Sequence, residues 1–155
     1  MPYLLEREQL LPRPISEVFE FFSDARNLEA LTPPWLRFRI LTPGPVQMAE
    51  GAVIEYELRW RLFGIRWKTA IASWQPPHEF CDVQIRGPYK LWRHTHSFRA
   101  VPGGTMMSDR VEYELPFGPL GALAHWLRVR RDLDRIFDYR KRAVVGALEG
   151  RFGPG

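Results

Sequence analysis

With a single cysteine, Cys81, this chain has no means of forming an internal disulfide, and a small secreted fold that depends on such staples is excluded. Long apolar runs are missing as well: none approaches the roughly 20 residues needed to cross a bilayer. The first residues, Met1-Pro2-Tyr3-Leu4-Leu5-Glu6-Arg7-Glu8, lack the basic head and apolar middle of a secretory signal. Together these absences point to a cytoplasmic protein without a transmembrane segment. There is no repeat, linker or low-complexity tract. There is also no charge excess that implies a nucleic-acid partner. Net charge is +4 and the pI is near 9.6, but Arg128, Arg130, Arg131, Arg135, Arg140, Lys141 and Arg142 are interleaved with Asp132, Asp134, Asp138 and Glu149. That interleaving describes a solvated helix face rather than a phosphate track.

What the chain does have is material for one full core. Its 155 residues are 45% hydrophobic and 14% aromatic, which suits one domain, read as residues 1–150 with a short tail at 151–155. Tyr3 to Leu11 alternate weakly as a first strand closed by Pro12 and Pro14. Ile15, Val18, Phe19 and Phe22 then follow helical spacing, and Ser23 or Asp24 is placed to cap a second short helix through Leu28 and Leu31. From Leu36 to Leu115 the period changes to two, with turn signals at Pro43-Gly44-Pro45, Glu50-Gly51, Gly64, Pro76-Pro77, Gly87-Pro88 and Pro102-Gly103-Gly104. That spacing predicts six strands in a meander. In the clearest of them, Ile54, Tyr56, Leu58, Trp60 and Leu62 share one face, while Glu55, Glu57, Arg59 and Arg61 share the other.

A sheet with one wet face needs a cover on its dry one. The segment from about Leu120 to Leu148 supplies it as a long helix. Leu123, Trp126, Leu127, Val129, Leu133, Ile136, Phe137, Val144 and Leu148 form its expected apolar stripe, and Gly150 its expected end. The predicted class is α+β: a curved seven-stranded antiparallel sheet wrapped around a long C-terminal helix, with two short helices between strands 1 and 2. Helix and curved sheet diverge at one end, so this grip leaves an interior gap.

Two neighbouring strands put unusual side chains into that interior. Two-residue spacing places Trp92, His94, His96 and Phe98 on one face of one strand, and Met107, Asp109, Val111 and Tyr113 on one face of the next. Two imidazoles, a carboxylate and a phenol are costly to bury unless they satisfy one another or line a pocket.

The stretches Val18-Phe19-Glu20-Phe21-Phe22-Ser23-Asp24, Leu31-Thr32-Pro33-Pro34, Trp74-Gln75-Pro76-Pro77, Gly87-Pro88-Tyr89, Trp92 to Phe98, Asp109 to Tyr113 and Ile136-Phe137-Asp138-Tyr139-Arg140 resemble the START-like helix-grip superfamily, also called SRPBCC. Nearly the whole chain takes part. Within that superfamily, the same stretches are similar to a bacterial subgroup described as cyclase/dehydrase-like ligand-binding proteins. This resemblance implies a domain that takes a small apolar or amphipathic molecule, and it transfers no catalytic residue. The resemblance also favours Phe80, Asp82 and Gln84 as the inward face of the strand at 80–86, although Cys81, Val83 and Ile85 make the more apolar set.

The expected binding wall is then Tyr56, Trp60, Asp82, Gln84, Trp92, His94, His96, Phe98, Asp109, Val111, Tyr113, Phe137 and Arg140. Arg140 follows Phe137 by three residues and is placed to reach an anionic ligand group or an internal carboxylate. In the favoured reading the polar members orient one end of a lipid, isoprenoid or polyketide-like aromatic molecule. Two alternatives are a closed structural network and a cyclase/dehydrase site, with His94 or His96 as general base, Asp82 or Asp109 orienting it and Tyr113 as donor. A further alternative is a membrane-surface or partner-binding module, which requires a wide exposed apolar patch. No metal or other cofactor is expected, because no cysteine or third histidine accompanies the His94/His96 pair: His78 falls in a turn and His125 on the last helix.

Overall fold

The computed structural model describes residues 1–154. Strand β1 (Tyr3–Leu11) leads through Pro14 into α1 (Ile15–Phe22). Pro14 sits just before the first helical residue, where its missing N–H costs nothing, and Glu17 places negative charge in the first turn. Asp24 then caps a 3₁₀ turn at Ala25–Asn27, its Oδ1 accepting from the Arg26 amide at 3.0 Å, and that turn runs into α2 (Leu28–Leu31).

The strands that follow are β2 (Arg39–Ile40), β3 (Val53–Trp60), β4 (Phe63–Gln75), β5 (Glu79–Arg86), β6 (Leu91–Val101) and β7 (Gly104–Glu114). All seven pair antiparallel in the order β1-β7-β6-β5-β4-β3-β2. Register shifts between Lys68 and Thr69 and between Ile71 and Ser73 bend β4 and help curl the sheet. At the β6–β7 turn Gly104 has φ +148°, and a Cβ there would lie 2.0 Å from the carbonyl oxygen of Leu11. Only glycine lets this turn close against the end of β1.

The C-terminal helical segment grips the inside of the sheet. It comprises α3 (Gly118–Ala124), a π-helical stretch at His125–Val129 and α4 (Arg130–Phe152). The core falls into two clusters along it. One joins Leu11, α1 aromatics, Phe80, Phe98, Val144 and Leu148. The other joins Leu5, Trp67, Trp92, Val111, Tyr113, Leu133 and Phe137.

Three expectations are corrected here. Leu62 does not end β3 on its inward face: it lies in the β3–β4 turn after Arg61 (φ 56°) and is exposed. Gly150 does not end the helix, which continues through Phe152 to a cap at Gly153. The apolar stripe of the helix is also not continuous. Leu133, Phe137, Val144 and Leu148 are buried, but Leu123, Trp126 and Leu127 face outward, and Gly121 and His125 take the inward positions. The π stretch is the cause. One extra residue in a turn rotates everything upstream by about 100°, so the residue eight before Leu133 faces inward instead of the one seven before. Gly121 fits there because a Cβ would lie 2.1 Å from the Pro116 carbonyl oxygen.

Candidate functional site

Between the sheet and α4 lies a cavity of about 320 Å³. Its apolar wall comes from alternate residues of β3 and β4, such as Tyr56, Leu58, Ile65 and Trp67, together with Phe22, Trp92 and Phe137. The strand period puts these side chains inward while Glu55, Glu57, Arg66 and Lys68 stay outside.

One side of the cavity is ionic. Antiparallel pairing sets Asp82 opposite His94 and Phe80 opposite His96 across β5 and β6, and His96 opposite Asp109 across β6 and β7. The hydrogen bonds run along diagonals instead. His94 Nε2 meets Asp109 Oδ1 at 2.7 Å, and His96 Nε2 meets Asp82 Oδ2 at 2.6 Å. The two imidazoles stack with centroids 3.7 Å apart, and His96 also stacks on Phe80 at 4.1 Å. Arg140 reaches in from α4, its guanidinium over the Phe22 ring at 5.3 Å. One terminal nitrogen of that group lies 3.4 Å from both Asp109 Oδ1 and His96 Nδ1.

This geometry sets the protonation states. Burial, with the adjacent His94 ring, pushes the His96 imidazole down to about 4 against the pull of Asp82. His96 is therefore neutral near pH 7, and its Nε2–H donates to Asp82. Burial alone would raise both carboxyls. For Asp109 the Arg140 charge and the His94 hydrogen bond outweigh it, and for Asp82 the His96 hydrogen bond and the charges around it do so, leaving both below the usual carboxylate range. The cluster thus gathers two carboxylates, a guanidinium and two imidazoles. The His94 Nε2–H donates to Asp109, and the other ring nitrogen, Nδ1, lies 4.0 Å from Asp82 Oδ2.

Of the residues expected on the binding wall, Tyr56, Trp60, Asp82, Trp92, His94, His96, Phe137 and Arg140 line the cavity. Phe80 and Asp82 do face inward, as the resemblance favoured. Five others stand elsewhere. Asp109 lies behind the His94 ring as its hydrogen-bond partner. Phe98 packs among Phe19, Phe22 and Phe80, and Val111 is fully buried in the sheet-side core. Tyr113 does not join the histidine pair; its hydroxyl meets His125 Nε2 at 2.8 Å, and Tyr3 stacks on that imidazole at 3.5 Å. Gln84 is spent on the β5–β6 turn, where Nε2 donates to the Tyr89 carbonyl at 2.7 Å and Oε1 accepts the Tyr89 amide at 3.2 Å.

Trp67, Tyr89 and Asp132 also line the cavity and were not singled out from sequence. The alternation Ile65, Trp67, Thr69, Ile71 carried the signal for Trp67. Nothing local marks Asp132, which accepts from Trp60 Nε1 at 3.1 Å across 72 positions of chain.

Asp82, His94 and His96 present ligand atoms within 4.8 Å of one another. A metal ion needs imidazole lone pairs that meet at about 2.0–2.1 Å. In rings stacked at 3.7 Å and tilted only 26° those lone pairs run nearly side by side, and His96 Nε2 is already held by Asp82. The cluster is better suited to hydrogen bonding than to chelation.

A curved antiparallel sheet closed by one long helix, with an ionic cluster on the wall of the space between them, defines a helix-grip domain. The chain belongs to the family described as polyketide cyclase / dehydrase and lipid transport, whose pattern matches residues 11–138. No curated protein gives a sequence match. Solved structures share the fold at low identity. Protein Ms6760 from Mycobacterium smegmatis is 13% identical with a TM-score of 0.70, over 96% of this chain and 92% of that one. Ara h 8.0201 is 14% identical with a TM-score of 0.67, over 97% and 99%. A nucleoside-diphosphate sugar epimerase from Corynebacterium glutamicum is 23% identical with a TM-score of 0.72, over 94% of this chain and 29% of that one.

Proposed function

We propose that this protein binds a small, mostly apolar molecule in the cavity between sheet and helix, with the polar end of that molecule against Asp82 and His94. The observation that carries the reading is the composition of the wall. Aromatic and aliphatic side chains surround a volume of about 320 Å³, and Asp82, His94, His96 and Arg140 gather on one side of it. That is the low end of the range for small-molecule sites, roughly 300–1,000 Å³.

The ionic cluster also constrains the ligand's polar end. One terminal nitrogen of Arg140 is engaged by Asp109 and His96, while its buried Nε has no partner among the described residues. The wall groups with hydrogen-bonding capacity left over are the Asp82 carboxylate, an acceptor, and two donors without a partner among those residues, Arg140 Nε and Trp67 Nε1. A hydroxyl or amine, which can both donate and accept, fits this mixed set.

Mass spectrometry of an organic extract of the purified protein tests the reading, alongside titration with the neutral amine probe N-phenyl-1-naphthylamine. The expected result is saturable probe binding, weakened several-fold by Asp82→Asn, and displacement by any hydroxylated or aminated apolar molecule found in the extract. Absence of both a retained molecule and saturable probe binding overturns it.

A second reading has one specific support. The Asp109–His94 pair has the form of an oriented general base, which suits a cyclase or dehydrase. In that case His94→Gln abolishes turnover and spares binding; in the binding reading it only weakens binding.

A further inference from the structure

Two segments flank one part of the cavity and share a peculiarity. Leu58 to Lys68, which forms the β3–β4 hairpin tip, and Leu115 to Arg131, which covers α3 and the π stretch, contain no Asp or Glu, although the chain has 18. Between them they carry Arg59, Arg61, Arg66, Lys68, Arg128, Arg130 and Arg131. Arg66 reaches Glu55 and Arg128 reaches Asp132. The other five have no carboxylate within 4 Å among the described residues.

The same segments expose large apolar side chains. Leu62 and Phe63 at the hairpin tip, and Phe117, Leu120, Leu123, Trp126 and Leu127 on the helix, range from 52% exposed at Leu123 to 89% at Leu62. Single exposed leucines need no explanation, but seven large apolar residues on two adjoining elements do. The Trp60–Asp132 hydrogen bond ties the base of the hairpin to the helix one turn beyond Arg128. The inner faces of both segments line the cavity through Leu58, Trp60, Ile65, Leu115 and Val129. The π stretch is what turns Trp126 and Leu127 outward.

We propose that this face docks on a lipid bilayer containing anionic lipid. Leucine, phenylalanine and tryptophan enter the headgroup boundary while the unpaired arginines and lysine meet the lipid phosphates. An apolar patch alone would fit several partners. A patch flanked by cations and free of acid selects a negatively charged interface, and aromatic and leucine side chains beside arginine are the composition that lies in the boundary region. Docked this way, the protein holds one end of its cavity against the membrane, from which an apolar ligand can pass without crossing water. The docking itself does not depend on what fills the cavity.

Cosedimentation of the full chain with vesicles tests this, using phosphatidylcholine alone and phosphatidylcholine mixed in equal parts with phosphatidylglycerol. The protein is expected to pellet with the mixed vesicles at least tenfold more than with the neutral ones, and to be released by added salt. Leu62→Ser combined with Trp126→Ser should reduce the pelleted fraction tenfold or more. Arg61→Glu combined with Arg131→Glu should remove the preference for anionic lipid. All four side chains are exposed, so an unchanged urea melt confirms that each variant is folded, and Asp82→Asn should dock like the parent chain. Failure to pellet with either vesicle overturns the proposal, as does pelleting that survives both double variants. Sedimentation velocity that shows a dimer lost in Trp126→Ser, or retention by nucleic acid without vesicle binding, overturns it as well.

Discussion

The two ends of the interior are built from the same sheet and the same helix, yet one is solid and the other hollow. At the solid end α1 wedges between sheet and helix, so Phe19 meets Phe80 and Phe98 edge to face, and Phe22 packs on Phe98, around Val144 and Leu148. At the other end no helix fills the wedge. Trp67, Trp92, Leu133 and Phe137 line its two sides and leave the cavity between. The ionic cluster sits where one regime gives way to the other: His96 stacks on Phe80 of the solid end, and the His94 ring lies 5.6 Å from Phe137 of the hollow one. Close packing and open volume are therefore divided along the long axis of α4, with the charged groups at the boundary between them.

The largest effect should come from breaking the solid end. Phe98→Ala removes a side chain that is 3% exposed and packed against three other rings, and should cost about 3–5 kcal/mol in urea unfolding. A loss below about 1 kcal/mol would mean that the end is not close-packed.

The boundary between the ends should respond to acid. His96 is pushed from 6.5 down to about 4, so between those values the unfolded chain binds a proton that the folded chain refuses. Stability therefore falls as pH drops from about 6.5 to about 4, by a total of ~3 kcal/mol for this group. Asp82 and Asp109, both depressed, add a further loss as pH falls below the ordinary carboxylate value of 3.8. Urea melts across this range should show the first window in the parent chain and lose it in His96→Gln. A parent chain equally stable at pH 4.5 and 7 contradicts a buried neutral His96.

The smallest effect belongs to the hollow end. Leu58 already borders open space, so Leu58→Ala enlarges a cavity instead of creating one and should cost about 1 kcal/mol or less, below the 2–5 kcal/mol usual for a buried leucine. Its consequence should instead be a change of several-fold in probe affinity. A cost comparable to that of Phe98→Ala would erase the distinction between the two ends.

Much of this was legible in the chain. Period-two alternation marked β3 and the inward faces of β6 and β7, and helical spacing with Pro14 and Asp24 marked α1 and the turn before α2. The strand parity that sends His94, His96 and Asp109 to one side of the sheet was visible because it is local: alternate residues face opposite ways whatever the partner strand. Which of those groups meet was not legible. Register alone sets His96 opposite Asp109, but the side chains choose diagonal partners, and Tyr113 turns to His125 because the π stretch brings that imidazole close. Gln84 looked like a wall residue by parity and became a turn clamp because Tyr89 lies five positions on.

The order of amino acids, by itself, determined where strands and helices form, which face of each is apolar, and that charged groups would project into an interior of α+β type. Tertiary structure alone decided three things: that Arg140 pairs with Asp109, that the C-terminal helix changes face at His125–Val129, and how much of the expected gap beside α4 stays open. The physical reason is range. Backbone periodicity is fixed by neighbours a few residues apart, whereas a buried charge pair, a shifted helix phase and an unfilled volume depend on how elements far apart in sequence come to rest against one another.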